Sequence, residues 1–307
     1  MAPVPSRSRR LLVAAAAVAA LAASAVVAAP AFASGSHHPA HHPAHHRVHP
    51  VRPGSSYLAL GDSVSFGYRE PANLPTPDYP DASTFVGFPE NVGSALGLRV
   101  ANASCPGETS GSLVSASELS YACRLTPTGT DGYRTKFPLH VGYAGTQLQY
   151  ARSFLARHRN TDLVTLMIGA NDGFLCQATT TDQCASELPG VLAKISANVR
   201  TILGTLRQQE HYRGQIVIVN YYSTDYRSAV QNGSSQALNT AMDTAAKPFD
   251  VTVADGYATF QKAAAQAGGD TCAAGLLTTL TTGGCGVHPS VGGQALLALA
   301  VEKAIRR

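Results

Sequence analysis

The chain has 307 residues, of which 45% are hydrophobic and 14% charged, with a formal net charge of +4. That is apolar material enough for one large domain, and too weak a positive balance for the basic stripe that nucleic-acid binding needs. The absence of tryptophan excludes a Trp-lined sugar platform, although tyrosine and phenylalanine remain available for stacking.

The first 33 residues have the layout of a secretory signal peptide. Arg7, Arg9 and Arg10 make a positive start, an Ala-rich apolar run covers 11–27, and Ala31-Phe32-Ala33 supplies a small-residue cleavage site. The Arg9-Arg10 pair also permits a twin-arginine route. Removing 1–33 removes three basic residues and no acidic ones, which leaves 20 against 19 and a net charge of +1. The apparent basicity therefore belongs mostly to the leader. No later stretch is long and apolar enough to span a bilayer.

Residues 34–55 contain an HHPA repeat and seven of the eleven histidines. Proline at this density opposes helix and sheet, so a disordered His/Pro-rich linker is expected, with the domain proper over 56–307.

From residue 56 on, short runs rich in β-branched residues alternate with helical stretches. Strands are predicted at YLALG (57–61), LRVAN (98–102), DLVTLMIG (162–169), QIVIVNY (215–221) and DVTVAD (250–255). These runs are apolar on both faces, as buried parallel strands are. Helices are predicted near 84–96, 144–158, 186–212, 234–247, 257–267 and 290–305. The alternation implies an α/β sheet covered on both sides. A proline-rich loop at 69–83 and a long excursion at 106–140 interrupt it. Long loops at strand ends usually form binding walls.

Ligands of open parallel sheets bind beyond the carboxyl ends of the strands. Gly61-Asp62-Ser63 follows the first strand, Asn102 to Gly107 the second, and Gly169-Ala170-Asn171-Asp172 the third; His288 follows the last after one more excursion. Singly, each is an ordinary turn or helix cap. Together they offer a serine nucleophile, amide donors and a base, which is the equipment of acyl transfer. The G-x-S-x-G elbow of α/β-hydrolases is absent. His140, His158 and His211 lack the strand-end setting of His288 and read as surface or helix residues.

The ordered blocks YLALGDSVSFGY, N-x-x-x-x-G, G-x-N-D and V-H-P resemble the SGNH, or GDSL, family of esterases and lipases over 57–307. The resemblance implies a flavodoxin-like three-layer α/β/α sandwich with a five-stranded parallel sheet. It implies Ser63 as nucleophile, His288 as general base, and an oxyanion hole from the Ser63 and Gly107 N–H groups and the Asn171 side chain. A secreted carboxylic ester hydrolase follows, with a small-molecule or lipid ester as substrate. No metal, organic cofactor, nucleic acid or stable membrane insertion is expected, and a monomer is. A non-catalytic lipid- or glycan-binding module on the same fold is the competing reading.

Six cysteines, all after the leader, favour three disulfides, with 15 pairings open. They fall into three close pairs, so sequential pairing is the simplest: Cys105–Cys123, Cys176–Cys184 and Cys272–Cys285. A zinc site lacks the C-x₂-C spacing. Cys285 also stands where many family members carry an aspartate, three residues before the histidine. The backbone carbonyl of Cys285 is the expected acceptor for the His288 Nδ1 proton, in a Ser–His dyad. Asp255, Asp270, or a site that only binds, are the alternatives.

Overall fold

The computed structural model describes residues 48–307; the expected leader (1–33) and most of the expected linker lie outside the described residues. Five strands make one parallel sheet: β1 (Ser56–Gly61), β2 (Arg99–Asn102), β3 (Thr161–Met167), β4 (Gln215–Val219) and β5 (Thr252–Ala254), in the order β2-β1-β3-β4-β5. Every residue of β1, β3 and β4 is buried, which is why their sequences run apolar without alternation. Only β2 and β5, at the two edges, expose their first residues.

The helices are α1 (Ser63–Phe66), α2 (Phe88–Leu96), α3 (Ser110–Val114), α4 (Tyr133–Lys136), α5 (Gln147–Arg157), α6 (Ala170–Thr179), α7 (Leu188–Gly204), α8 (Ala229–Ala246), α9 (Gly256–Ala264) and α10 (Val291–Ala304). Helices α2, α9 and α10 pack together on one face of the sheet, and α5, α7 and α8 cover the other. This is the three-layer sandwich with a flavodoxin-like strand order. The order reverses between β1 and β3, so the crevice at their carboxyl ends is where a ligand belongs.

Helix α8 starts at 229 rather than 234. Ser228 caps it by accepting a hydrogen bond from the Gln231 N–H, and the turn-like Asn232-Gly233 pair lies inside the helix. An antiparallel hairpin that the sequence did not announce, β6 (Leu277–Thr279) and β7 (Cys285–Pro289), precedes α10.

The two interrupting loops fold over a small aromatic core of their own. Phe66, Phe85 and Tyr133 are its buried centre, and Tyr68, Tyr79, Phe137 and Leu139 pack around it. Ring centroids lie 5.2 Å apart for Phe66–Phe85 and 5.3 Å for Phe66–Tyr133.

The expected linker boundary at 55 is corrected. The Val51 side chain is buried, and its N–H bonds the Arg306 carbonyl at 3.0 Å. Arg52 forms a two-pronged pair with Asp162, with Nε and Nη2 each at 3.0 Å. Proline density argued for disorder, but Val51, Arg52 and backbone bonds from His49 to Arg213 and from Gly54 to Gly97 dock this strap.

The disulfides are Cys105–Cys123, Cys176–Cys184 and Cys272–Cys285. Among the described residues no helix is long and apolar enough to cross a membrane.

Candidate active site

Strand β1 ends at Gly61, and Asp62 caps α1 by accepting a hydrogen bond from the Val64 N–H at 2.9 Å. Its second carboxylate oxygen accepts from the Tyr221 hydroxyl at the end of β4. Burial pushes the Asp62 carboxyl up to about 6, against the pull of these hydrogen bonds and of nearby His288. Ser63 is thereby fixed as the first residue of a short helix at the switch point.

His288 lies on β7, one residue before Pro289 and two before Ser290. Ser290 caps α10 by accepting from the Gly293 N–H at 3.2 Å. The His288 Nε2 atom is 2.9 Å from Ser63 Oγ. Its other nitrogen, Nδ1, is 2.7 Å from Glu70 Oε1. Burial would raise the Glu70 carboxyl, but the hydrogen bond and charge of His288, with hydrogen bonds from Thr278 and the Glu70 backbone, together outweigh it and the net shift is downward. Glu70 is therefore an ionised acceptor at neutral pH.

The expected acceptor, the Cys285 carbonyl, is corrected by this contact. Cys285 and His288 sit on one extended strand, and three residues of strand span about 10 Å. A carbonyl at that position cannot fold back onto the ring as it can in a turn. The alternatives are occupied elsewhere. Asp255 caps α9 through the Ala258 N–H at 2.8 Å. Asp270 pairs with Arg227 at 2.8 Å and accepts from the Ala273 N–H at 2.9 Å.

Glu70 comes from the proline-rich loop, which is held on both sides. The buried Arg69 guanidinium donates to the carbonyls of Pro75 at 2.9 Å and Thr84 at 2.7 Å. Asn73 forms two bonds with the backbone of Thr279 on β6, at 2.7 and 3.0 Å. Opposite the carboxylate stands Gly286. A Cβ there would lie 2.5 Å from Glu70 Oε1 and 2.9 Å from Thr278 Oγ1, so any larger residue would displace the carboxylate from its present position. The Tyr222 hydroxyl bonds the Val287 carbonyl at 2.5 Å and steadies the hairpin from below. The Tyr68 ring stands 4.8 Å from the His288 ring.

The other two strand ends meet at Gly61, the residue that ends β1. Gly107 has φ +81°, and a Cβ there would strike Ala122 at 2.4 Å, so both conformation and space demand glycine. Asn171, on the first turn of α6, donates from Nδ2 to the Glu108 carbonyl at 3.0 Å and keeps a second N–H free for a ligand. Gln147 links this group to β1. Its side chain bonds the Gly61 N–H at 2.9 Å, the Gly61 carbonyl at 2.7 Å and Glu108 Oε2 at 2.8 Å. Asp172 anchors α3 through the Ser110 N–H at 2.7 Å and hydroxyl at 2.6 Å, its carboxyl pushed up to about 6 by burial.

Asn102, the first residue of its motif, is structural: its amide bonds the Ser65 carbonyl and Glu90. His140 and His158 bond backbone carbonyls of Phe66 and Phe154, and His211 lies on an exposed turn. Cys105, Glu108 and Cys123 cluster, but the sulfurs are joined in a disulfide and leave no thiolate for a metal. A cavity of about 440 Å³ lies beside Arg69, Pro75, Thr84 and Val86 and includes neither Ser63 nor His288.

A sequence model of the GDSL-like lipase/acylhydrolase family matches residues 59–296. The chain belongs to this family. It is accordingly a carboxylic ester hydrolase, and the matched span holds Ser63, Glu70, Gly107, Asn171 and His288. No curated protein matches it in sequence. Among solved structures, an acetylxylan esterase from Geobacillus stearothermophilus is 16% identical with a TM-score of 0.50, over 83% of this chain and 96% of that one. An α/β hydrolase enzyme from the metagenome of Lake Arreo is 14% identical with a TM-score of 0.50 over the same shares. At these identities the likeness is one of fold. The GDSL-family assignment rests on the sequence match and not on these neighbours.

Proposed function

We propose that this GDSL-family hydrolase is a secreted serine esterase working through a Ser63–His288–Glu70 triad. The observation that carries the reading is the unbroken relay from Glu70 Oε1 to His288 Nδ1 at 2.7 Å and from Nε2 to Ser63 Oγ at 2.9 Å. Glu70, an acceptor only, fixes the tautomer that leaves Nε2 free. Ser63 Oγ attacks the ester carbonyl carbon while Nε2 takes its proton, and the Glu70 carboxylate stabilises the imidazolium that forms. The carbonyl oxygen becomes an oxyanion, received by the Ser63 and Gly107 N–H groups and the free Asn171 N–H. The imidazolium then gives its proton to the departing alcohol. Water, deprotonated by His288, attacks the acyl-enzyme, and the acid leaves with Ser63 restored.

Export is supported by the leader-like 1–33 segment and by three disulfides, which persist in oxidising compartments. The test is hydrolysis of p-nitrophenyl butyrate by the wild type, Ser63→Ala and Glu70→Gln. Ser63→Ala should abolish turnover. Glu70→Gln keeps the shape but loses the charge and the fixed tautomer, and kcat should fall about 10³-fold or more with little change in Tm. A loss below about threefold would leave Ser63 and His288 as a dyad and remove Glu70 from the mechanism.

A further inference from the structure

Two aromatic rings, one exposed and one half-buried, pair near the proposed oxyanion donors. Tyr121 and Phe174 pair with ring centroids 5.8 Å apart, and Tyr121 is 41% exposed. Neither belongs to the main core or to the aromatic core under the loops. A pair that leaves Tyr121 exposed and Phe174 half-buried gives up part of the burial that normally stabilises such residues. Here both rings are also held stiffly. The Tyr121 N–H bonds the Gly107 carbonyl at 2.9 Å, and Cys123, two residues on, is bonded to Cys105. Phe174 lies three residues after Asn171 on α6, hence on the same helix face, and Cys176, two residues on, is bonded to Cys184. One ring is thus tied to Gly107 and the other to Asn171, the two groups that would receive the carbonyl oxygen. Leu119, two residues before Tyr121, is also 38% exposed, its carbonyl held by the Thr109 hydroxyl at 2.7 Å.

We infer that Tyr121 and Phe174 form the subsite for the acyl chain of the ester, taking an aliphatic chain longer than acetyl. The inference rests on the triad reading above. Once the carbonyl oxygen is placed, the two remaining substituents of the carbonyl carbon go to opposite sides. The alcohol oxygen must face His288 Nε2, which returns the proton to it. That side is walled by Tyr68 and the β6–β7 hairpin. The acyl group is left with the other side, toward the segments that carry Gly107 and Asn171 and, with them, the Tyr121–Phe174 pair. Burial of several methylenes against two rings gives a preference that grows with chain length.

The experiment compares kcat/KM for p-nitrophenyl acetate, butyrate and octanoate in the wild type, Tyr121→Ala, Tyr121→Gln, Phe174→Ala and Tyr121→Phe, with Ser63→Ala as the blank. Each loss of a ring should lower the octanoate-to-acetate ratio about tenfold, chiefly through KM, while Tyr121→Phe keeps the wild-type ratio. Tyr121→Gln covers the case in which the alanine variant folds poorly. A ratio that stays put in every folded variant overturns the subsite. So does a change that follows the alcohol when octyl and p-nitrophenyl acetates are compared. A wild type that hydrolyses no ester overturns the triad reading itself, and a wild type that does so with an unmoved ratio overturns only the subsite.

Discussion

An imidazole takes a serine proton only when its other nitrogen is held as a donor. In the proposed triad that task falls to Glu70, and Glu70 in turn depends on an empty space. Gly286→Ala would put a methyl group 2.5 Å from Glu70 Oε1, so the carboxylate must swing away from His288. The backbone of Gly286 is extended and accepts alanine without strain, so the damage should be confined to the site. We expect kcat to fall about tenfold or more with Tm nearly unchanged, measured by esterase assay and thermal melt. Equal activity would mean that Glu70 keeps its bond by another route. Ser63 and His288, each marked in the sequence by a recognisable block, lie 2.9 Å apart, although His288 sits within β7 and not after a strand. Glu70 was not so marked. It sits in a proline-rich loop with no periodicity, 218 residues from the histidine it meets, and only the folded loop brings it there.

The β6–β7 hairpin is the element on which the site turns, since it carries His288 and Gly286 and receives Asn73 from the Glu70 loop. Cys272–Cys285 ties its second strand to the segment after α9 with a sequence separation of 13. A loop of that size corresponds to about 3 kcal/mol of stabilisation. Replacing both residues, Cys272→Ser with Cys285→Ser, should lower Tm by several degrees. It should also lower kcat at temperatures where the protein is still folded, because His288 loses its footing. Full turnover in the folded double variant would show that the hairpin holds without the bond. The hairpin escaped sequence reading for a physical reason: its strands are three and five residues long and contain Gly286, and the turn between them reads as loop. The five sheet strands were legible because burial on both faces forces a continuous apolar run, although β2, β3, β4 and β5 each came out one to three residues shorter than the run that marked them.

At the scale of the whole molecule, the order β2-β1-β3-β4-β5 gathers three strand-end loops at one crevice, and two side chains bind them together. Gln147 joins Gly61 to Glu108, and Asn171 joins Glu108 to α6. At the opposite end, the 48–55 strap closes the sheet against the C-terminus. A chain beginning at Ser56 loses the buried Val51 and the Arg52–Asp162 pair, and leaves Asp162 buried without its partner. Burial of one valine is worth about 2 kcal/mol. Urea unfolding of the shortened chain should show a loss of at least that size, with kcat for p-nitrophenyl butyrate nearly unchanged because the strap is remote from Ser63. An unchanged midpoint would mean the strap is ornamental.

By itself the sequence determined the class of the fold and the three blocks that gather at the crevice, because local composition encodes burial; for the cysteines it favoured sequential pairing among 15 possibilities, the pairing the structure holds. Only the tertiary structure decided what His288 bonds through Nδ1. Cys285 stood at the expected distance in sequence, but an extended strand carries its carbonyl out of reach, and a carboxylate from a distant loop fills the place.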